Sequence, residues 1–199
     1  MGKIEICDAI SKEHVNGMCY SRTVSKESDI FYCAKITDNE VRSYCYENLG
    51  TVTKNVSYCG KVTIDSAKGS CYLNVSVAKK DVSICENIEY EYTRMVCYMA
   101  VAAADLNPSL CEKIDKDAKD GIYNMRDSCY LRVAIEKSDY KICELITVEN
   151  ALSCYAYVAE KTGNFSICQG SGGCYERVAK STKNLALCDK VGPIYKEVF

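Results

Sequence analysis

The sequence predicts an all-α protein, a right-handed α/α solenoid of about seven to eight short helical hairpins of roughly 26 residues, each holding one disulfide. Three regularities carry that reading. Cysteines recur in a fixed register, one class of them is always followed by tyrosine, and the other class is preceded at a fixed distance by Asp or Asn. A hairpin of this size cannot bury its apolar face alone and must stack on its neighbours, so residues 1–199 read as one repeat domain.

The tyrosine-bearing class comprises Cys19-Tyr20, Cys45-Tyr46, Cys71-Tyr72, Cys97-Tyr98, Cys129-Tyr130, Cys154-Tyr155 and Cys174-Tyr175. Fourteen positions beyond each stands a cysteine of the other class: Cys33, Cys59, Cys85, Cys111, Cys143, Cys168 and Cys188, with Cys7 as an eighth member. Four positions before these lie Asp29, Asn55, Asp81, Asn107, Asp139, Asn164 and Asn184; only Lys3 departs from the rule. Short Asp and Asn side chains accept hydrogen bonds from the free amides of a first helical turn, so each marks a helix start. Pro108 after Asn107 suits the first helical position.

From each cap the apolar positions are +1, +3, +4 and +7, as in Val82, Ile84, Cys85 and Ile88, which is a helical face. In the tyrosine class the pattern is 0, +1, +4 and +5, as in Cys129, Tyr130, Val133 and Ala134, which gives a second amphipathic helix whose small residues permit close packing. The segment between the two cysteines varies. It spans 12 positions in the early units, 18 from Cys111 to Cys129, 11 from Cys143 to Cys154 and six from Cys168 to Cys174. Variable segments in solenoids map to loops, so the insertion Lys116 to Asn124 and the short turn Gln169-Gly170-Ser171-Gly172-Gly173 are where this chain is individual.

Two pairings compete, closing either the variable segment or the fixed one. A turn near Asp65 leaves Cys59 and Cys71 each about 6–8 Å from the hairpin tip, so they stand level. Cys71 and Cys85 are out of level by about 9 Å, beyond what a disulfide tolerates. The expected bridges are therefore Cys7–Cys19, Cys33–Cys45, Cys59–Cys71, Cys85–Cys97, Cys111–Cys129, Cys143–Cys154 and Cys168–Cys174. Cys188 is left over, as a free thiol, a link between chains, or the first half of an eighth hairpin whose partner falls near position 200.

Composition narrows the function. With 25 basic and 27 acidic residues scattered along the chain and a net charge of -2, there is no basic stripe for nucleic acid. The longest apolar stretch, Met95 to Ala104, is too short to cross a bilayer. Met1-Gly2-Lys3-Ile4-Glu5 is not a secretory signal, and the immediate start of repeat material suggests the trimmed part of a longer product. No C-x-x-C spacing occurs, the only histidine is His14, expected at the first hairpin turn, and no metal or cofactor is expected. Neither G-x-S-x-G nor H-E-x-x-H is present. Cys168 and Cys174, flanking a glycine-rich loop, are the one candidate redox pair.

The seven tyrosines that follow cysteine have two readings, a binding ladder or packing residues between hairpins; packing is preferred. The glycosylation-type triplets Asn55-Val56-Ser57, Asn74-Val75-Ser76 and Asn164-Phe165-Ser166 include two expected caps, so the motif adds little.

The unit Asp81-Val82-Ser83-Ile84-Cys85-Glu86-Asn87-Ile88, leading through Arg94-Met95-Val96 to Cys97-Tyr98 and Val101-Ala102, resembles uncharacterised archaeal cysteine-rich helical-repeat proteins, over nearly the whole chain. The resemblance implies a surface or secreted repeat protein with no catalytic residues to carry over. More loosely the design is similar to tetratricopeptide-type repeats, which implies protein binding. Stable disulfides fit an extracellular or cell-surface location, or alternatively the cytoplasm of a hyperthermophile. The expectation is thus a non-enzymatic scaffold for a protein or cell-surface partner. The alternatives are a structural subunit that self-associates through its end repeats, and a thiol-disulfide redox protein.

Overall fold

The computed structural model describes residues 4–121 and 123–190. Eight α-helices run through them: α1 (Glu13–Thr23), α2 (Ile30–Lys35), α3 (Asn39–Thr53), α4 (Asp65–Lys79), α5 (Glu91–Asp105), α6 (Met125–Lys137), α7 (Val148–Thr162) and α8 (Gly172–Thr182). Between them lie short 3-10 helices: η1 (Glu5–Ala9), η2 (Glu27–Asp29), η3 (Val56–Lys61), η4 (Val82–Asn87), η5 (Pro108–Lys113), η6 (Tyr140–Leu145), η7 (Phe165–Cys168) and η8 (Leu185–Lys190). The protein is all-α, a tandem series of hairpins in which a short turn leads into an α-helix. Lys3 and the segment beyond Lys190, where the rest of an eighth hairpin was expected, lie outside the described residues.

The first arm of the hairpin differs from expectation. Except for α2, it is a 3-10 helix of four to six residues. The reason is length. Few residues separate the cap from the β-branched residue that turns the chain, and the amide of that residue bonds to the cysteine carbonyl three positions back, as in Ile88 N to Cys85 O at 3.0 Å. So short a run favours i to i+3 bonding.

Six of the seven expected caps accept the amide two residues on: Asn55, Asp81, Asn107, Asp139, Asn164 and Asn184. Four of them also accept the hydroxyl of the serine there (Ser57, Ser83, Ser109 and Ser166). This Asx-Ser cap accounts for two of the glycosylation-type triplets. Asp29 is the exception. It is buried, 2% exposed, and accepts the amides of Ser25 and Lys26 at 2.8 and 3.2 Å, because α2 runs on directly from η2 and leaves no free amides ahead of it.

The seven bridges are Cys7–Cys19, Cys33–Cys45, Cys59–Cys71, Cys85–Cys97, Cys111–Cys129, Cys143–Cys154 and Cys168–Cys174, with Cα separations of 5.4–5.8 Å. Each joins the two arms of one hairpin. Cys188 is a free thiol, partly exposed. From α3 onward, four positions after the second cysteine stands a fully enclosed aliphatic residue, Leu49, Val75, Val101, Val133, Val158 or Val178. The next position is small, and Gly50 shows why: a Cβ there would stand 2.9 Å from Cys71 Sγ and 3.4 Å from Cys59 Sγ. The bridge of one hairpin thus seats on the helix before it, and an added methyl at Gly50 overpacks the contact.

The chain divides into two compact units, Met1–Val101 and Ala102–Phe199, with α5 contributing residues to both. In the first, α1 packs on α3 and α3 on α4; in the second, α6 packs on α7 and α7 on α8. The insertion in the second unit is folded. Strands β1 (Lys119–Asp120) and β2 (Tyr123–Asn124) pair antiparallel, with Gly121 at φ +61° in the turn, and Asn124 caps α6 by accepting the amide of Asp127 at 3.0 Å.

Candidate interaction surface

The outer edges of the second-arm helices, at positions -5, -1, +2 and +3 from the second cysteine, form grooves between neighbouring helices. One lies between α1 and α3. It encloses about 600 Å³ and is lined by His14, Met18, Arg22, Glu40, Tyr44 and Glu47 among others. A second of about 360 Å³ lies between α6 and α7, lined by Ser128, Leu131, Asn150, Ser153 and Tyr157. A third of about 220 Å³ follows between α7 and α8, lined by Leu152, Ser153, Tyr157, Gly173 and Arg177.

The α1–α3 groove combines charge with apolar surface. Burial alone pushes the Glu47 carboxyl above the ordinary carboxylate range. At the groove's edge His14 Nδ1 lies 3.1 Å from Asp38 Oδ2. His14 sits in the first turn of α1 and is exposed, which matches its expected place at the hairpin turn. Asp38 caps α3 by accepting the amides of Glu40 and Val41. The Val41 amide, then His14, hold its carboxyl below the ordinary range.

The tyrosine ladder is not at this surface. Tyr20, Tyr46, Tyr72, Tyr98, Tyr130 and Tyr155 are 3–9% exposed, and Tyr175 is partly buried. They are packing residues, because the position after an inward cysteine lies beside the facing arm. Tyr20 donates to the Asp8 carboxylate and Tyr98 to Glu86 Oε2 at 2.9 Å. In each case the acceptor is the residue after the first cysteine of the bridge. Burial, then Glu112, raises the Tyr130 phenol in the same way. The recurring acidic residue after the first cysteine (Asp8, Glu86, Glu112, Glu144) was a signal for this pairing that the cysteine alignment passed over.

A second missed signal is the arginine three positions before the second cysteine. Arg42, Arg94 and Arg126 donate to the carbonyls of Ile36, Ile88 and Ile114 at 2.9, 2.9 and 2.8 Å, satisfying the end of each first arm. Such end carbonyls have no partner within the turn itself. At the redox candidate, Cys168 and Cys174 are each 1% exposed. Among the described residues no cluster of His, Cys, Asp and Glu could hold a metal ion, and no helix is long and apolar enough to cross a membrane.

Fold and surface together define a disulfide-stapled helical-repeat protein. No family model, no curated protein and no solved structure matches the chain.

Proposed function

We propose that the protein is a non-enzymatic scaffold outside the cell whose grooves between second-arm helices bind a protein or cell-surface partner. One observation carries this reading: the hairpins are alike where they pack and unlike where the grooves lie. Position +4 is Leu49 or a valine from α3 onward, yet position -1 is Met18, Tyr44, Ser128, Ser153 or Gly173 in the helices that line grooves. Position +3 there is Arg22, Arg132 or Arg177 on α1, α6 and α8, but Asn48 on α3 and Tyr157 on α7. Repeat proteins encode recognition in this way, with a uniform core carrying a varied face. The bridges support it by fixing that face before a partner arrives, which lowers the ordering cost of binding.

Seven bridges favour an oxidising location. The enclosure of Cys168 and Cys174 weighs against thiol exchange, which needs an accessible thiolate.

The test is site-specific photo-crosslinking on the natural cell surface. A probe at Tyr44 or Asn48 is expected to capture one discrete partner, lost on Glu47→Lys, whereas a probe at Lys79 captures none. Equal capture from both faces, or from neither, refutes the reading.

A further inference from the structure

We infer that the groove between α1 and α3 receives cationic side chains, lysine or arginine, from a basic segment of a protein partner, with Glu47 as the carboxylate that meets them. This names the chemistry of the partner and rests on the reading of the groove as a partner site.

Glu47 stands two positions after the second cysteine. Across α1 and α3 to α8 that position holds Ser21, Glu47, Leu73, Met99, Leu131, Ala156 and Glu176, and none of the seven is exposed. It is a sheltered place that five hairpins fill without charge. The two carboxylates there are treated differently. Glu176 accepts a hydrogen bond from Lys180, one turn on, at 2.5 Å. The Glu47 carboxylate has no hydrogen-bond or ion-pair partner among the described residues. Burial is the only influence on its affinity for a proton, whereas a guanidinium within reach would oppose that effect. Arg22 lines the same groove and therefore does not supply the counter-charge.

The surroundings fit a cation on an apolar stem. Glu40, Tyr44 and Glu47 lie at i, i+4 and i+7 of α3 and share one face. Tyr44, 42% exposed, is the only aromatic residue at its position, where the other helices carry Met18, Ser70, Val96, Ser128, Ser153 and Gly173. An exposed ring face attracts a cation. Met18 on the α1 wall and Tyr44 on the α3 wall give a lysine or arginine stem apolar surface on both sides. Glu40, exposed and likewise without a partner for its carboxylate among the described residues, stands about 10 Å along α3 from Glu47. The wall thus reads carboxylate, ring, carboxylate, with room for two cations at that spacing.

The sign of the occupant follows from what each charge lacks. An anionic segment would meet Arg22, which is exposed and keeps its water. Glu47 has given up part of its hydration and gained no partner in return, so a cation beside it restores an interaction that the fold leaves unmade.

The probe is the peptide Lys-Pro-Pro-Lys, acetylated and amidated at its ends, whose polyproline helix sets both lysines on one side about 9 Å apart. It is titrated into isotope-labelled full-length protein and followed by NMR. The expected result is saturable shifts at Met18, Tyr44 and Glu47, absent with the matching Glu-Pro-Pro-Glu peptide. Glu47→Gln keeps the shape of the side chain and should weaken the lysine peptide about tenfold, through loss of a charge-assisted hydrogen bond. A non-reduced peptide map showing the seven bridges confirms that the variant is folded. No binding of the lysine peptide overturns the inference, as does equal binding of the glutamate peptide or undiminished binding to Glu47→Gln. A partner still captured by crosslinking at Tyr44 of a protein that ignores the lysine peptide would keep the reading of the surface and remove this inference alone.

Discussion

Tyr98 donates its phenolic hydrogen to Glu86 Oε2 at 2.9 Å, each being the residue that follows a cysteine of the Cys85–Cys97 bridge. The covalent link and the hydrogen bond therefore brace the hairpin side by side. Burial, and after it Glu86, raises the Tyr98 phenol above the ordinary tyrosine range. The sign follows: the folded state holds this proton more tightly than the unfolded chain, so the contribution is present below the ordinary tyrosine pKa and is lost as pH rises through the raised value. A Tyr98→Phe, Glu86→Gln double-mutant cycle should give a coupling of about 1 kcal/mol at neutral pH, falling in strong alkali, measured by urea denaturation.

Removing one bridge should cost far more than removing the spare thiol. Cys59→Ala with Cys71→Ala opens a loop of sequence separation 12 and should lose about 3 kcal/mol by the chain-entropy model. Cys188→Ser should shift the urea midpoint little. Equal effects of the two changes would mean that the bridge adds nothing to stability.

Each second arm that ends ahead of an Asx cap stops on a residue in the left-handed region, and this is rarely glycine. Lys54, Lys80, Leu106, Ser138 and Lys183 have φ of 54–58°, with Gly163 the exception at 69°. The Asn55 amide closes the helix end on Gly50 O at 3.0 Å, so the geometry is fixed by hydrogen bonding and not by residue choice. Lys54→Gly should stabilise the protein by about 1 kcal/mol, because it removes the Cβ clash of that conformation. Thermal unfolding reads the change.

The Glu47 carboxyl, raised by burial, gives a pH effect of opposite sense to a helix cap. Its folded form prefers the proton, so ionisation opposes folding above the ordinary carboxylate range, and that opposition disappears in acid. Glu47→Gln should raise the unfolding temperature at neutral pH and leave it unchanged well below the carboxylate range. The Asp38 and Asp81 caps, held low by backbone amides and by Ser83, run the other way and lose their contribution as pH falls. A pH series of melting curves on Glu47→Gln and Asp81→Asn separates the two senses.

Much of this architecture was legible in the residues because a disulfide converts sequence register into distance. Once Cys59 and Cys71 stand level, the hairpin, its caps and its inward faces follow from helical rise. The first arms were harder. An apolar +1, +3, +4 pattern suits an α-helix and a 3-10 turn alike over six residues, and only the short distance from Asp81 to Ile88 decides. Asp29 was misplaced because a buried carboxylate that reaches backward to Ser25 has the same sequence signature as one that caps forward. The surface was least legible. Glu47 looks like any solvated helix glutamate until its position is compared across the hairpins and found sheltered in all of them.

Because every bridge closes within its own hairpin and none joins one hairpin to the next, the chain is a string of locked loops under tension. Pulled from its ends, it would pay out only the fourteen-residue stretches between loops, such as Cys71 to Cys85. Each would yield roughly 50 Å at full extension, against about 90 Å for an unbridged repeat. Reducing conditions would therefore nearly double its reach under load.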